Sequence, residues 1–192
     1  MGKALRRLGR RDEAAGYLAR ASQPQQPGSP ALLTAPIDNR QFAMLRDDAE
    51  ARPNDAPTQI AYIGALLSRG LGDEALARAP RVQAANPGAP DAHVLVGDAL
   101  GIKGHFAAAA IEYRKAANLS FTEPVALRMS EALQRSGQSA AAQQVLELFL
   151  SQNPRNVPAQ LLAANLYMQQ RQWAKAARTY EDLRKRLGDG DA

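Results

Sequence analysis

Four short turns set the frame of this chain. Gly70, Gly104, Gly137 and Arg171 stand 34, 33 and 34 residues apart, and each is followed five places on by an alanine: Ala75, Ala109, Ala142 and Ala176. After Gly104 come Phe106, Tyr113 and Ala116, at two, nine and twelve places; after Arg171, Trp173 and Tyr180 repeat the first two of those offsets. A fixed period of this length marks a repeat architecture, in which one supersecondary unit buries its apolar face only by stacking on its neighbours. Alanine, leucine, arginine and glutamine, all good helix formers, are abundant, and alternating β-branched runs are absent. The expected fold class is therefore all-α.

From residue 56 the pattern is regular. The spacing predicts helix pairs at 56–69 and 73–86, 90–103 and 106–119, 124–136 and 139–152, and 157–170 and 173–187. Turns of two or three residues make each pair antiparallel. Small residues (Gly97, Ala99, Ala109, Ala116) fall where two helices would approach, with Val96, Leu100, Phe106 and Tyr113 filling the space between.

The first 55 residues fit the frame less well. Gly9 is followed by Ala14, Leu18 and Ala21 at the same five, nine and twelve places, so the chain opens inside a repeat, as a longer reading frame would produce. Residues 23–36 hold four prolines in fourteen, which no helix can run through, and the Ala31-Leu32-Leu33 patch within them is a candidate to dock in the protein's own groove. Asp38 with Gln41 fits a capping box for a helix that carries Phe42, Leu45 and Ala49 on one face and stops at Pro53. The expected division is a second helix of a truncated repeat at 1–22, a Pro-rich linker at 23–36 and the lone second helix of a degenerate repeat at 37–55. Repeats follow at 56–89, 90–122, 123–156 and 157–192, the last ending in a capping helix.

This pattern resembles the tetratricopeptide repeat, a 34-residue helix–turn–helix. In that family a small residue stands at place eight, glycine near fifteen, an aromatic at seventeen, alanine at twenty, an aromatic at twenty-four, alanine at twenty-seven and proline at thirty-two. Gly97, Gly104, Phe106, Ala109, Tyr113 and Ala116 match in one unit; Ser130, Gly137, Ala142 and Pro154 in the next; Ala164, Tyr167, Trp173, Ala176 and Tyr180 in the last. The unit at 56–89 matches at Gly70, Ala75 and Pro87 but has Gly72 and Ala79 at the aromatic places, and Leu146 replaces an aromatic in the third unit. The resemblance implies a right-handed superhelical α-solenoid of antiparallel helix pairs that binds proteins rather than catalysing a reaction.

The residues themselves offer no catalytic constellation. His93 and His105 lie twelve apart, at opposite ends of one expected helix, and cannot share a metal. There is no phosphate-binding loop, no HExxH and no dinucleotide loop. Without cysteine there is no disulfide or thiolate site. No cofactor is expected. No window approaches the length of an apolar membrane span, and residues 1–16 lack the apolar stretch of a signal peptide. As written the chain reads as cytoplasmic, whereas a start upstream of Met1 leaves a periplasmic location open. The net charge of +5 is concentrated at the ends: residues 1–22 and 171–187 each carry six basic and two acidic side chains. Basic ends attract anions, but no aromatics are interleaved to stack bases, which argues against a nucleic-acid partner.

What remains is a groove. The resemblance places the first helix of each pair on the concave surface and makes Ile60, Asp91, Val94, Asp98, Leu127, Glu131, Leu161 and Asn165 its candidate peptide-binding residues. Place five is apolar throughout (Ile60, Val94, Leu127, Leu161), and place nine runs Gly64, Asp98, Glu131, Asn165. An apolar row beside an acidic or polar one suits an extended segment or amphipathic helix with Lys or Arg opposite the carboxylates. Some family members clamp a chaperone's C-terminal carboxylate with Lys, Asn and Arg; the corresponding places here hold Ile60, Gly64, Leu95, Pro124 and Arg128, of which only Arg128 fits. The expected function is a non-catalytic scaffold for a protein or peptide partner, with self-association through the uncapped N-terminal end as a further expectation. An Arg-rich, Lys-poor composition and the mid-repeat start favour, as the alternative, a piece of a larger bacterial envelope protein for polysaccharide export, pilus assembly or secretion.

Overall fold

The computed structural model describes residues 37–188, and among these there are nine α-helices and no strand. The partial repeat expected at 1–22, the linker at 23–36 with its Ala31–Leu33 patch, and the uncapped N-terminal end lie outside the described residues. The helices are α1 (Asn39–Ala51), α2 (Ala56–Ser68), α3 (Gly72–Ala85), α4 (Pro90–Ile102), α5 (Phe106–Leu119), α6 (Glu123–Arg135), α7 (Ser139–Gln152), α8 (Val157–Gln169) and α9 (Trp173–Gly188). Their ends fall within a residue or two of those the sequence pattern predicts.

Local chemistry explains the starts. The Asp38 carboxylate accepts from the Gln41 backbone N–H at 2.7 Å while the Gln41 side chain accepts from the Asp38 N–H, completing the expected capping box. Asp55 accepts from the Thr58 backbone and hydroxyl, and Asn156 from the Ala159 N–H at 2.9 Å. Helices α2, α4, α6 and α8 all carry proline in their first turn, where its missing donor costs nothing. Pro80 is different: it sits inside α3, on the exposed side.

The periodic turn residues have one conformation. Gly70, Gly104 and Gly137 have φ of 71°, 78° and 83°, and Arg171 has φ 60°. In this left-handed cap the residue after the turn reaches back five places: Leu71 N–H to Leu66 C=O at 2.9 Å, His105 to Leu100 at 2.9 Å, and Gln172 to Tyr167 at 2.8 Å. The period that stands out in the sequence is thus a backbone requirement, met three times by glycine and once by an arginine under strain.

The described helices form two compact units, α1–α6 (residues 37–137) and α7–α9 (residues 138–188). In the first, each helix packs on the next and α2 also packs on α4, as stacked hairpins require. Tyr62, Ile63, Leu66, Val82, Leu95 and Val96 fill much of its core, with Ala75, Ala79 and Ala99 allowing close approach. The tightest crossing is α4 on α5, where the Tyr113 ring lies over Gly97. A Cβ on that glycine would stand 2.5 Å from Tyr113 Cε1. Phe106, by contrast, is only half-buried and is covered by the Arg135 guanidinium, 3.9 Å from its ring centre. In the second unit α8 packs on both α7 and α9 around buried Leu146, Phe149, Ala164, Leu166 and Leu183.

Candidate functional site

The eight candidate residues occupy the first helix of each pair. In the α1–α6 unit, Ile60 on α2 is partly exposed, Asp91 at the start of α4 is exposed, and Leu127 and Glu131 on α6 are partly exposed. Glu131 has a loose ion pair with Arg135, 3.7 Å away and one turn on. In the α7–α9 unit, Leu161 is 42% exposed and Asn165, one turn further along α8, is half-buried. Spaced four apart, those two share one face.

Two candidates are placed otherwise than a groove row needs. Val94 keeps 3% of its surface and joins the interior. Asp98 keeps 5%, and its Oδ1 accepts from the Tyr113 hydroxyl at 2.7 Å and from Arg128 Nε at 3.0 Å. Its carboxylate therefore ties α4 to α5 and α6, and is not one of two open carboxylates awaiting a cationic partner. The cause is the missing side chain at Gly97, which lets Tyr113 lie close against α4 so that its hydroxyl reaches place nine. Burial pushes the Asp98 carboxyl up, opposed by Arg128 and the Tyr113 hydrogen bond, and burial followed by the Asp98 charge pushes the Tyr113 phenol up strongly. Arg128, the one residue that fitted a carboxylate clamp, also donates through Nη1 to Pro124 C=O at 3.2 Å and is buried.

The same contact recurs in the last repeat, which the sequence reading missed. Tyr180 donates to Asn165 Oδ1 at 2.8 Å, and both pairs are fifteen residues apart. The signal was present as a polar residue at place nine with tyrosine at place twenty-four. The third repeat has Leu146 there, so Glu131 lacks an equivalent phenol, and the repeat at 56–89 pairs Gly64 with Ala79.

The histidines differ in surroundings. His105 is exposed. His93 is buried between α3 and α5, its Nδ1 2.9 Å from Glu112 Oε2 and 2.6 Å from Gln83 Nε2, its Nε2 3.3 Å from Pro87 C=O. Burial works to raise Glu112, but hydrogen bonds from His93, Lys115 and Gln83 outweigh it and leave its carboxyl below the ordinary value. In the other unit Tyr167 donates to Glu147 at 3.0 Å and is pushed up to about 12, by burial first and that carboxylate second. Among the described residues no three His, Asp or Glu side chains gather as a metal site, and no helix is long and apolar enough to cross a membrane.

Residues 133–192 match the family model described as tetratricopeptide repeat. Over those residues, from the end of α6 through α9, the chain is similar to this repeat. Three solved structures share the fold. "Crystal structure of MamA" is 16% identical with a TM-score of 0.68 over 79% of this chain and 90% of that one. "Crystal structure of MamA protein" is 14% identical with a TM-score of 0.67, covering 79% and 85%. "MamA MSR-1 C2" is 18% identical with a TM-score of 0.64, covering 79% and 87%. No curated protein matches the chain by sequence. Stacked helical repeats build extended surfaces from successive similar hairpins, a form suited to protein interaction.

Proposed function

We propose that this chain is a non-catalytic scaffold that holds a peptide or helix of a partner protein against the first helices of its repeats. The repeats we assign run 56–89, 90–122, 123–156 and 157–192, preceded by the lone second helix at 37–55. The observation that carries this reading is on α8. Leu161 is a large apolar side chain left 42% exposed on a first helix, and one turn away Tyr180 takes Asn165 Oδ1. With the oxygen occupied, the Nδ2 hydrogens of Asn165 are left for an acceptor such as a backbone carbonyl of an extended peptide. In the α1–α6 unit, Ile60 and Leu127 offer apolar surface beside Asp91 and Glu131. The acidic character of that face rests on those two carboxylates, because Asp98 is engaged by Arg128. A partner segment with apolar side chains and a Lys or Arg near Glu131 fits it.

The test is capture of partners by the intact chain, compared with a Leu127→Glu, Leu161→Glu variant and with an Ile111→Glu, Leu148→Glu variant. Ile111 and Leu148 are more exposed than Leu127 and Leu161 but lie on second helices. Loss of the captured protein in the first variant alone, with circular dichroism unchanged, supports the reading. Equal retention in both variants removes it.

A further inference from the structure

The Asp98–Arg128 pair is only half made. A guanidinium presents Nε–H and Nη2–H along one edge, and that edge ordinarily takes both oxygens of a carboxylate. Here Nε donates to Asp98 Oδ1 at 3.0 Å, while Asp98 Oδ2 and Arg128 Nη2 are buried with no hydrogen-bond partner. The two side chains keep 4% and 9% of their surfaces. Their other groups are engaged, Asp98 Oδ1 also by Tyr113 and Arg128 Nη1 by Pro124 C=O. Buried charged groups left half-paired are rare in native proteins, and each asks for an explanation.

The two unpaired atoms have opposite sense. One is an acceptor and the other a donor, on groups already joined by a hydrogen bond, so they lie on neighbouring edges. A cation placed there would face Arg128 and an anion would face Asp98. The complementary group is uncharged and compact, and carries N–H and C=O on the same edge. A primary carboxamide has this form, whereas a trans peptide bond directs its N–H and C=O to opposite sides. We propose that Asp98 and Arg128 form a subsite for the side-chain carboxamide of an Asn or Gln supplied by the partner peptide. Asp98 Oδ2 accepts its N–H and Arg128 Nη2 donates to its C=O. Entry requires the guanidinium to turn and give up its 3.2 Å bond to Pro124 C=O, the longest of the hydrogen bonds in this cluster. The proposal rests on the first-helix reading above, since both residues belong to first helices, α4 and α6.

Acetamide is the probe. In the full-length chain, the Nε–Hε resonance of Arg128, assigned by its absence from Arg128→Lys, is followed by NMR as acetamide is added to high millimolar concentration. A saturable shift is expected. Methyl acetate, which lacks the donor, and N,N-dimethylacetamide, which also lacks it, should act at least tenfold more weakly. Asp98→Asn should abolish the preference for acetamide; if that variant fails to fold, the three-probe comparison on the parent chain decides alone. No saturable shift with acetamide, or the same shift with methyl acetate, overturns the subsite and leaves the pair as a closed clasp between α4 and α6. The capture experiment is independent. A partner lost from the first-helix variant while acetamide stays silent refutes the subsite only. An acetamide shift with the partner retained by that variant refutes the first-helix reading and, with it, the peptide as source of the carboxamide.

Discussion

Gly97→Ala is the most searching test of the packing described above, because two effects of similar size oppose each other. Alanine is the better helix residue by about 1 kcal/mol, so at an open position on α4 the change would stabilise. Gly97 is not open. The added Cβ would stand 2.5 Å from Tyr113 Cε1, 2.8 Å from Cδ1 and 3.0 Å from Cζ, so the ring must withdraw until the nearest distance reaches the 3.4 Å of ordinary contact. That ring is buried among α4, α5 and α6, and its hydroxyl donates to Asp98 at 2.7 Å. Overpacking of this kind costs about 1–3 kcal/mol. Stretching the bond to a buried carboxylate adds about 1–3 kcal/mol, since Asp98 already has one oxygen without a partner. The expected net is destabilisation by about 1–5 kcal/mol, seen as a lower Tm at about 2–4 °C per kcal/mol for a chain of this size. Faster amide exchange should be confined to α4, α5 and α6. Combined with Tyr113→Phe, the cost should be less than the sum of the two singles, because the hydrogen bond can be lost only once. A Gly97→Ala protein as stable as the parent or more so would refute the argument that the α4–α5 crossing depends on the missing side chain.

Two further perturbations probe the turns and the α3–α5 network. Gly104 and Arg171 occupy the same left-handed position, and a Cβ at Gly104 would meet nothing within 4 Å; Gly104→Ala should therefore cost about 1 kcal/mol through backbone conformation alone, and Arg171→Gly should stabilise by up to about 1 kcal/mol, both read from thermal melts. Glu112 has its carboxyl held below the ordinary 4.5. Its contribution to stability is thus complete above that value and lost as pH falls through the lower folded one. In urea melts between pH 5 and pH 3, the parent should lose stability more steeply than Glu112→Gln; parallel slopes would show that the network with His93 and Gln83 does not hold the charge.

The helices and their pairing were legible in the sequence because they are set by local rules repeated four times. A residue able to adopt positive φ recurs at 70, 104, 137 and 171, proline recurs in the first turn of each first helix, and alanine recurs where second helices approach. The side-chain partners were not legible in the same way. Arg128 reaches Asp98 from 30 residues away, and Arg135 covers Phe106, contacts fixed by the spacing between successive hairpins and by rotamers that no local pattern states. A site assignment that treats every ninth place alike therefore overlooks that one oxygen of Asp98 and of Asn165 is already taken by a tyrosine.

Ninth-place residues divide by what stands at place twenty-four. A ninth-place polar group is claimed internally where the twenty-fourth residue is tyrosine, as with Asp98 by Tyr113 and Asn165 by Tyr180. Where that residue is Leu146, the ninth-place carboxylate of Glu131 lacks a phenol and keeps only a 3.7 Å ion pair at the surface. Exposed pairs of that kind contribute about 0.2–1 kcal/mol and are readily exchanged for a better cation. In the proposed reading Glu131 is the ninth-place carboxylate left to meet a partner's Lys or Arg, and the two tyrosines explain why its counterparts at 98 and 165 differ from it.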